Sequence, residues 1–187
     1  KIFQLGFEEE LHKILKKIPD FSQRIFLSAT LNDRVEAIQA TIPTLPFTVT
    51  IEQEKTDVSK ITQVAYGVST ERKGPFMRYL LKNEIKDRVL IFVSATRTAD
   101  NLIIKLKKNG LNAVALHSKK SQAARNIALE DFKAGKIQVL IATDVLARGV
   151  HIDGLPYVVN YELPRSPLDY IHRIGRTGRA GEFGTAI

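Results

Sequence analysis

Cysteine and tryptophan are absent from the 187 residues, and methionine occurs once, at Met77. Without a thiol the chain can form no disulfide, thiolate metal site or cysteine nucleophile, which excludes disulfide oxidoreductases and cysteine proteases. No apolar run approaches the roughly 20 residues that a membrane-spanning helix needs. The first residues, Lys1 to Gln4, lack the long apolar core of a signal peptide. We therefore predict a cytoplasmic protein that has no membrane partner.

Three common catalytic motifs are missing as well. Gly135 and Lys136 are followed by Ile137 and not by serine or threonine, so the chain has no phosphate-binding P-loop. The four histidines lie far apart in the sequence and match no zinc-binding spacing, so no metal site is predicted. No Gly-x-Ser-x-Gly segment is present to expose a serine nucleophile.

The positive charge is concentrated in the C-terminal part of the chain. The net charge is +8, from 28 lysines and arginines against 20 aspartates and glutamates. Residues 1–54 carry 6 basic and 8 acidic side chains, which leaves 22 basic and 12 acidic side chains for residues 55–187. Such an excess favours a polyanionic partner, although it also serves solubility.

A polar segment divides the chain into two predicted folding units. Residues 52–57 are polar and lack apolar periodicity, which is typical of a linker. Before it, the apolar spacing predicts a helix over 7–17, a strand over 24–27, a helix over about 32–40 and a strand over 47–51. The first residue is not methionine, and the last residues resemble a strand that has been cut short. We therefore expect the chain to be part of a longer protein.

Strands and helices alternate regularly beyond the linker. The predicted strands lie over 62–68, 89–93, 112–116, 137–142 and 157–161. The predicted helices lie over 75–83, 98–109, 121–134 and 167–174. The second and fourth strands are almost wholly apolar, as strands covered on both faces are. This order predicts a doubly wound α/β domain with a mostly parallel sheet and flanking helices, whose ligands bind beyond the carboxyl ends of the strands.

The densest chemical signal is a set of arginines near the end of the chain. Arg173, Arg176 and Arg179 recur at every third residue, with glycines between them. Ser166 and Pro167 predict the start of a helix that leads into this cluster. The glycines weaken the helix, so we expect the last two arginines at its end or on the following loop. A guanidinium binds two phosphate oxygens at once, which lysine cannot do, so the cluster predicts phosphate recognition. The alternative is a solvated arginine-rich helix end.

Two further clusters follow predicted strands. Thr143 and Asp144 come directly after the fourth strand, where a hydroxyl and free backbone N–H groups suit a phosphate or sugar-phosphate contact. The segment from His117 to Arg125 follows the third strand and adds basic residues at a helix start. Each cluster has an alternative: Thr143 and Asp144 can simply cap the next helical turn, and Ser121 can cap an ordinary surface helix.

These motifs, in this order, resemble the DEAD-box group of ATP-dependent RNA helicases over nearly the whole chain. Lys1–Phe7 resembles the segment that follows the family's Asp-Glu-Ala-Asp box, and Ser28-Ala29-Thr30 resembles the motif that closes the first RecA-like domain. Later segments resemble the fourth, fifth and sixth motifs and a small RNA-contacting motif: Leu90–Val93, Ala142–Gly149, His172–Arg179 and Gln122-x-x-Arg125, respectively.

The resemblance implies a RecA-like fold and one part of a two-domain machine. Residues 1–51 would be the remnant of the first RecA-like domain, a partial second α/β unit. Residues 52–61 would be the interdomain linker, and residues 62–187 the second RecA-like domain, truncated at its C-terminal end. ATP with Mg²⁺, and single-stranded RNA, would bind across the cleft between the domains, with the P-loop and the Mg²⁺ site on the N-terminal RecA-like domain. The parent protein would couple ATP hydrolysis to RNA duplex remodelling, and this chain alone would not hydrolyse ATP.

The resemblance also implies roles for single residues. Arg176 and Arg179 would be catalytic and reach the γ-phosphate, with Arg179 as the arginine finger. The residues expected to bind the nucleotide are His151, Asp153, Arg176 and Arg179. The residues expected to bind the RNA backbone are Gln122, Arg125, Thr143 and Gly149. The residues expected to couple the two sites are Ser28, Ala29, Thr30, His172 and Arg173, of which Arg173 is mainly structural.

The chain departs from the family pattern at three positions. His151 stands where the family usually has the aspartate that holds the ATP ribose, and a neutral imidazole can still make one such bond. Ala95 stands where the fourth motif commonly has threonine. Ser118 replaces the glycine that usually follows His117 in the family pattern.

Two other functions are compatible with the same residues. A stand-alone nucleic-acid-binding module would use the basic surface without a nucleotide, and it would tolerate lysine at the arginine positions. A DNA helicase of the wider superfamily would differ in needing no 2′-hydroxyl on the bound strand.

Overall fold

The structure is a computed structural model that describes residues 7–19, 21–25, 27, 47–49, 58–147, 152, 154–178 and 182–187. The chain forms two compact units, Lys1–Glu52 and Gln53–Ile187. In the described part of the chain, no helix is long and apolar enough to cross a membrane.

The first unit contains one described helix, α1 (Glu8–Leu15), within the predicted range 7–17. The strands predicted over 24–27 and 47–51 are wrong for their described residues, which have no strand structure. Leu27 and Phe47 are almost fully exposed, and an apolar segment forms a strand only where a neighbouring strand pairs with its backbone. The helix predicted over 32–40 lies outside the described residues, as does most of the linker.

The second unit alternates strands and helices as predicted. Its strands are β1 (Ile61–Gln63), β2 (Val89–Phe92), β3 (Ala113–Leu116), β4 (Val139–Ala142), β5 (Tyr157–Asn160) and β6 (Gly184–Ala186). Its helices are α2 (Thr70–Asn83), α3 (Thr96–Lys107), α4 (Gln122–Lys133), α5 (Asp144–Ala147) and α6 (Pro167–Ile174).

The six described strands form one sheet in the order β1-β6-β5-β2-β4-β3, and every pair is parallel. β2 lies at the centre: Phe92 aligns with Ala142 of β4 on one side and with Asn160 of β5 on the other. All residues of β2 and β4 are buried, because helices cover both faces of the sheet. The predicted doubly wound α/β domain is therefore confirmed, with a wholly parallel sheet.

Two apolar layers hold the helices against this sheet. On one face, Met77 and Leu81 of α2 and Leu102 of α3 pack with Ile91 and Ile141. On the other face, the side chains that pack together include Leu90 and Phe92 of β2, Phe132 of α4 and Ala147 of α5. The buried layers fix the strand ends, and therefore also the loops that follow them.

Two predicted boundaries of the second unit are wrong. α2 begins at Thr70 and not at residue 75, because the N–H groups of Arg72 and Lys73 already donate to the carbonyl of Ser69. Pro75 therefore lies inside the helix and leaves one backbone bond unmade. β1 ends at Gln63 and not at residue 68, because it pairs only with the three residues of β6.

Candidate functional site

The loops that follow β2, β3, β4 and β5 come together at one edge of the sheet. Because all six strands are parallel, their carboxyl ends lie on the same side, where doubly wound folds bind ligands. Cross-strand backbone bonds hold the loops in place: the N–H of Thr143 donates to Leu116 at 3.4 Å, and that of Glu162 donates to Phe92 at 3.4 Å. The sequence-predicted Thr143 therefore lies at the ligand-binding edge.

Arg173 of α6 is the central side chain of this edge and is only 2% exposed. Its Nε donates to Oδ1 of Asp144 at 2.6 Å, and its Nη2 donates to Oδ2 of the same carboxylate at 2.8 Å. Its Nη1 donates to Oδ1 of Asn160 at 3.1 Å and to the carbonyl of Glu162 at 2.6 Å. The guanidinium also lies 5.0 Å from the ring centroid of Phe92, a cation–π contact.

These contacts occupy the Arg173 guanidinium and leave it unable to reach a ligand. Arg173 instead ties α6 to the ends of β4 and β5, so that the helix and both loops form one rigid base. Asp144, which sequence reasoning left as a ligand contact or a cap, is the partner of Arg173. A two-point arginine–carboxylate pair fixes orientation as well as charge.

Arg176 lies just beyond this base. Ser166 caps the start of α6, since its hydroxyl accepts the N–H of Leu168 at 3.2 Å, and the helix ends before Gly175, as the sequence predicts. Arg176 is half-buried in the turn that follows and lines a small cleft together with His172. The Nδ1 atom of His172 is buried and has no hydrogen-bond partner within the described part of the chain.

Close packing holds the chain immediately after Arg176. Thr177 is fully buried, and its hydroxyl donates to the carbonyl of Leu155. Gly178 has φ +64°, and a Cβ there would lie 2.6 Å from Cγ1 of Ile61 on β1. Only glycine satisfies both the left-handed backbone and this close approach. The loop that carries Arg176 is therefore anchored on both sides.

The start of α4 presents two of the expected RNA-binding residues. Ser121 caps the helix by accepting the N–H of Ala124 at 3.2 Å, so the capping alternative is correct for that residue. Gln122 is exposed, and its amide donates to Asn126 at 2.8 Å. The buried Nε of Arg125 has no hydrogen-bond acceptor among the residues that the structure describes.

A buried histidine fixes the loop that leads to α4. His117 is 1% exposed, and its Nε2 lies 3.0 Å from Oδ1 of Asp100 on α3. The ammonium group of Lys120 lies 3.3 Å from the same oxygen. The hydrogen bond from His117 and, to a smaller extent, the charge of Lys120 lower the pKa of Asp100 below its ordinary value of 3.8.

We expect Asp100→Asn to destabilise the protein in a pH-dependent way. Because folding lowers the pKa of Asp100, its stabilising contribution is present above the pKa of the unfolded chain and is lost as the pH falls through the folded-state value. Urea midpoints of wild type and variant should therefore differ at about pH 6 and converge below about pH 4. When His117→Phe is also present, the difference in urea midpoint caused by Asp100→Asn should depend less on pH. An equal pH dependence in that background would contradict the assignment of the effect to the Asp100–His117 pair.

Seven predicted site residues lie outside the described residues: Ser28, Ala29, Thr30, Gly149, His151, Asp153 and Arg179. Their roles stay predictions. Among the described residues, no three histidine, aspartate or glutamate side chains gather where they could hold a metal ion.

Sequence reasoning missed three residues of this edge: Asp100, Asn160 and Glu162. Asn160 and Glu162 had a usable signal, because both are polar and occur where β5 ends. Thr143 was singled out because ligands of doubly wound folds bind beyond the carboxyl ends of the strands, and the same rule applies to Asn160 and Glu162. Asp100 lies in the middle of an amphipathic helix, and its sequence position gives no sign of its histidine partner.

Comparison with known proteins identifies the family. Residues 72–181 match the helicase conserved C-terminal domain. The whole chain is 36% identical to the DEAD-box ATP-dependent RNA helicase CshA of Bacillus licheniformis, of which it covers 38%. It is 38% identical to the pre-mRNA-processing ATP-dependent RNA helicase prp5 of Emericella nidulans, of which it covers 16%. The chain belongs to the DEAD-box RNA helicases.

Solved DEAD-box structures have the same fold. Dbp5 of S. cerevisiae bound to RNA and ADP BeF3 matches the whole chain with a TM-score of 0.77 and 33% identity, and the match covers 49% of that chain. A DEAD box protein from Methanococcus jannaschii matches with a TM-score of 0.65 and 33% identity, and the match covers 50% of that chain. The predicted RecA-like fold is confirmed. The chain spans 38% or less of the first DEAD-box relatives named above.

Proposed function

We propose that the parent protein is an RNA-stimulated ATPase that remodels RNA duplexes, and that this chain supplies the arginine-finger and RNA-backbone-binding half. The observation that carries the proposal is the rigid base around Arg173. It joins the helix that leads to Arg176 and the segment that follows β4, which contains Thr143 and Asp144, in a single set of hydrogen bonds. A machine that couples phosphate chemistry to RNA binding needs such a connection.

On the nucleotide side, Arg176 and Arg179 reach the γ-phosphate of ATP, and His151 and Asp153 contact the rest of the nucleotide. The position of Arg176 supports this role, since it follows the end of α6 and its backbone carbonyl accepts the N–H of Leu155 at 3.1 Å. Mg²⁺, which neutralises phosphate charge when bound, would be held mainly by the N-terminal RecA-like domain. Without that domain and its P-loop, this chain does not hydrolyse ATP.

On the RNA side, Thr143, Gln122, Arg125 and Gly149 bind the sugar-phosphate backbone without reading its sequence. Thr143 and α4 follow adjacent strands of the sheet, so one RNA strand can contact both. The exposed amide of Gln122 and the partly exposed side chain of Arg125 carry N–H donors that suit phosphate oxygens. The relative Dbp5, which was solved bound to RNA, supports this assignment by analogy.

In this proposal the chain contains parts of two RecA-like domains and the linker between them. Residues 1–51 are the end of the first RecA-like domain, residues 52–61 the linker, and residues 62–187 the second RecA-like domain. Ser28, Ala29 and Thr30 couple the nucleotide to the RNA from the first domain, and His172 and Arg173 do so from the second. The protein acts in the cytoplasm.

The decisive experiment is ATP hydrolysis by the full-length protein with and without single-stranded RNA. We expect strong stimulation by RNA and weaker stimulation by DNA of the same sequence, since 2′-hydroxyls distinguish the two. RNA binding without any stimulated hydrolysis would favour the stand-alone binding module. Equal stimulation by DNA would favour a DNA helicase.

We expect Thr143→Val to weaken RNA binding by the full-length protein roughly tenfold, since a hydroxyl bond to a charged phosphate is lost. The salt dependence should stay the same, because threonine displaces no counterion. Arg125→Ala should instead lower the magnitude of the slope of log affinity against log salt by about 0.7. Thr62→Val, on an exposed position of β1, is the control. Wild-type affinity of Thr143→Val at every salt concentration would remove Thr143 from the RNA interface.

A further inference from the structure

Helix α3 begins without a cap of its own. Its N-cap residue is Ala95, which has no side-chain acceptor, and its first turn contains no acidic residue. The first N–H groups of a helix need acceptors, and the positive end of the helix dipole favours a negative charge nearby. Either water or another part of the chain must therefore meet these N–H groups.

The carboxylate of Glu162, on the loop after β5, lies against this start of α3. Its Oε2 accepts the N–H of Ser94 at 2.6 Å, and its Oε1 lies 3.4 Å from the hydroxyl of Thr98. The carboxylate thus holds the loop between β2 and α3 and the first turn of α3 at once. This loop follows the strand that resembles the fourth helicase motif, and it adjoins the RNA-binding edge.

The backbone of the same residue is joined to the other half of the site. The carbonyl of Glu162 accepts Nη1 of Arg173 at 2.6 Å, and Arg173 lies on the helix that leads to Arg176. The N–H of Glu162 donates to Phe92 at 3.4 Å, which adds a bond to the end of β2. A displacement of α6 that moves Arg173 therefore also moves the Glu162 carboxylate and the start of α3.

We propose that Glu162 is a positioning residue that couples the loop after β2, which lies at the same sheet edge as the RNA-binding residues, to α6, so that RNA binding beside this loop and nucleotide binding at α6 favour the same arrangement. The proposal rests on the proposed function. The side chain of Glu162 contacts the loop after β2, on the RNA side, and its backbone carbonyl contacts Arg173, on the nucleotide side. Replacing the side chain therefore breaks only one of the two connections and leaves the contacts of Arg173 in place.

The test is the coupling between the two ligands in the full-length protein. RNA affinity is measured with and without a non-hydrolysable ATP analogue, and the ratio of the two affinities reports the coupling. We expect Glu162→Ala to lower this ratio about fivefold or more, a loss within the usual range of coupling between sites. RNA-free ATP hydrolysis should stay near wild type, and the urea midpoint should fall only slightly, by the loss of the two hydrogen bonds of the carboxylate. Glu162→Gln keeps a carbonyl oxygen for the N–H of Ser94 and should restore most of the ratio.

Two outcomes would contradict the coupling proposal, and a third would contradict the proposed function. A wild-type ratio in Glu162→Ala overturns the coupling proposal. A loss of RNA-free hydrolysis and of stability in both Glu162 variants also overturns it, because it indicates a merely structural residue. A wild-type protein without RNA-stimulated hydrolysis overturns the proposed function itself. Glu84→Ala, at the exposed end of α2, is the matched control and should change none of these quantities.

Discussion

Arg179→Ala in the full-length protein should lower the rate of ATP hydrolysis about 10³- to 10⁵-fold, the range known for arginine fingers. In the proposed role, the Arg179 guanidinium would stabilise the negative charge that develops on the phosphoryl oxygens in the transition state. ATP binding in the ground state should therefore remain largely intact. Single-turnover hydrolysis and the equilibrium binding of a fluorescent ATP analogue measure the two effects separately.

Arg179→Lys and Arg72→Ala are the matched variants. Lysine keeps the charge but loses the planar fork, so hydrolysis should remain strongly impaired. Arg72 is exposed on α2, and its loss should leave hydrolysis unchanged. A fall of only a few-fold in Arg179→Ala would show that this residue is not the finger. Wild-type hydrolysis in Arg179→Lys would show that positive charge alone is sufficient at this position and that the planar fork is not used.

Arg173→Met should have the largest effect on stability. The substitution leaves the Asp144 carboxylate and the Asn160 and Glu162 acceptors without the donor that joins them. Breaking one side of a buried ion pair costs about 3 to 5 kcal/mol, and we expect the lower end because Asp144 is 31% exposed on its side chain. The urea midpoint of the full-length protein should fall by about 1 M or more.

A double substitution tests whether the loss comes from the unpaired charge. Asp144→Asn should lower the free energy of unfolding much less in the Arg173→Met background than in the wild-type protein, because the partner of the carboxylate is already absent there. If the two substitutions lowered the free energy of unfolding additively, this result would contradict the pairing of Arg173 with Asp144. Arg72→Met, an exposed methionine substitution on α2, should leave the midpoint unchanged.

The sequence was sufficient for the architecture of the second unit but not for every element boundary. Continuous apolar runs at β2 and β4 and the helical spacing between them have one simple explanation, a parallel sheet covered on both faces. The length of β1 depended on information absent from its own residues, because only the three residues of β6 pair with it. The strands expected at Leu27 and Phe47 failed for the same reason: apolar residues do not specify a pairing partner.

The candidate site was predictable where chemistry follows a strand directly. Thr143 and Arg176 lie where the pattern predicts them, at the end of β4 and beyond α6. The network around Arg173 was not predictable. It depends on Asp144, Asn160 and Glu162, which come from different segments and meet only because β4, β2 and β5 are neighbours in the sheet. Strand order is a property of the tertiary structure and leaves no local mark in the sequence.

The place of β1 in the sheet has a consequence for biogenesis. Of the six described strands β1 leaves the ribosome first, yet it joins the sheet only through β6, which is synthesised last of the six: Ile61 pairs with Gly184. Pairings between residues so distant along the chain form slowly, because the long loop must close before the contact is gained. During translation, β2, β3 and β4 can pair with one another while β1 still has no strand to pair with.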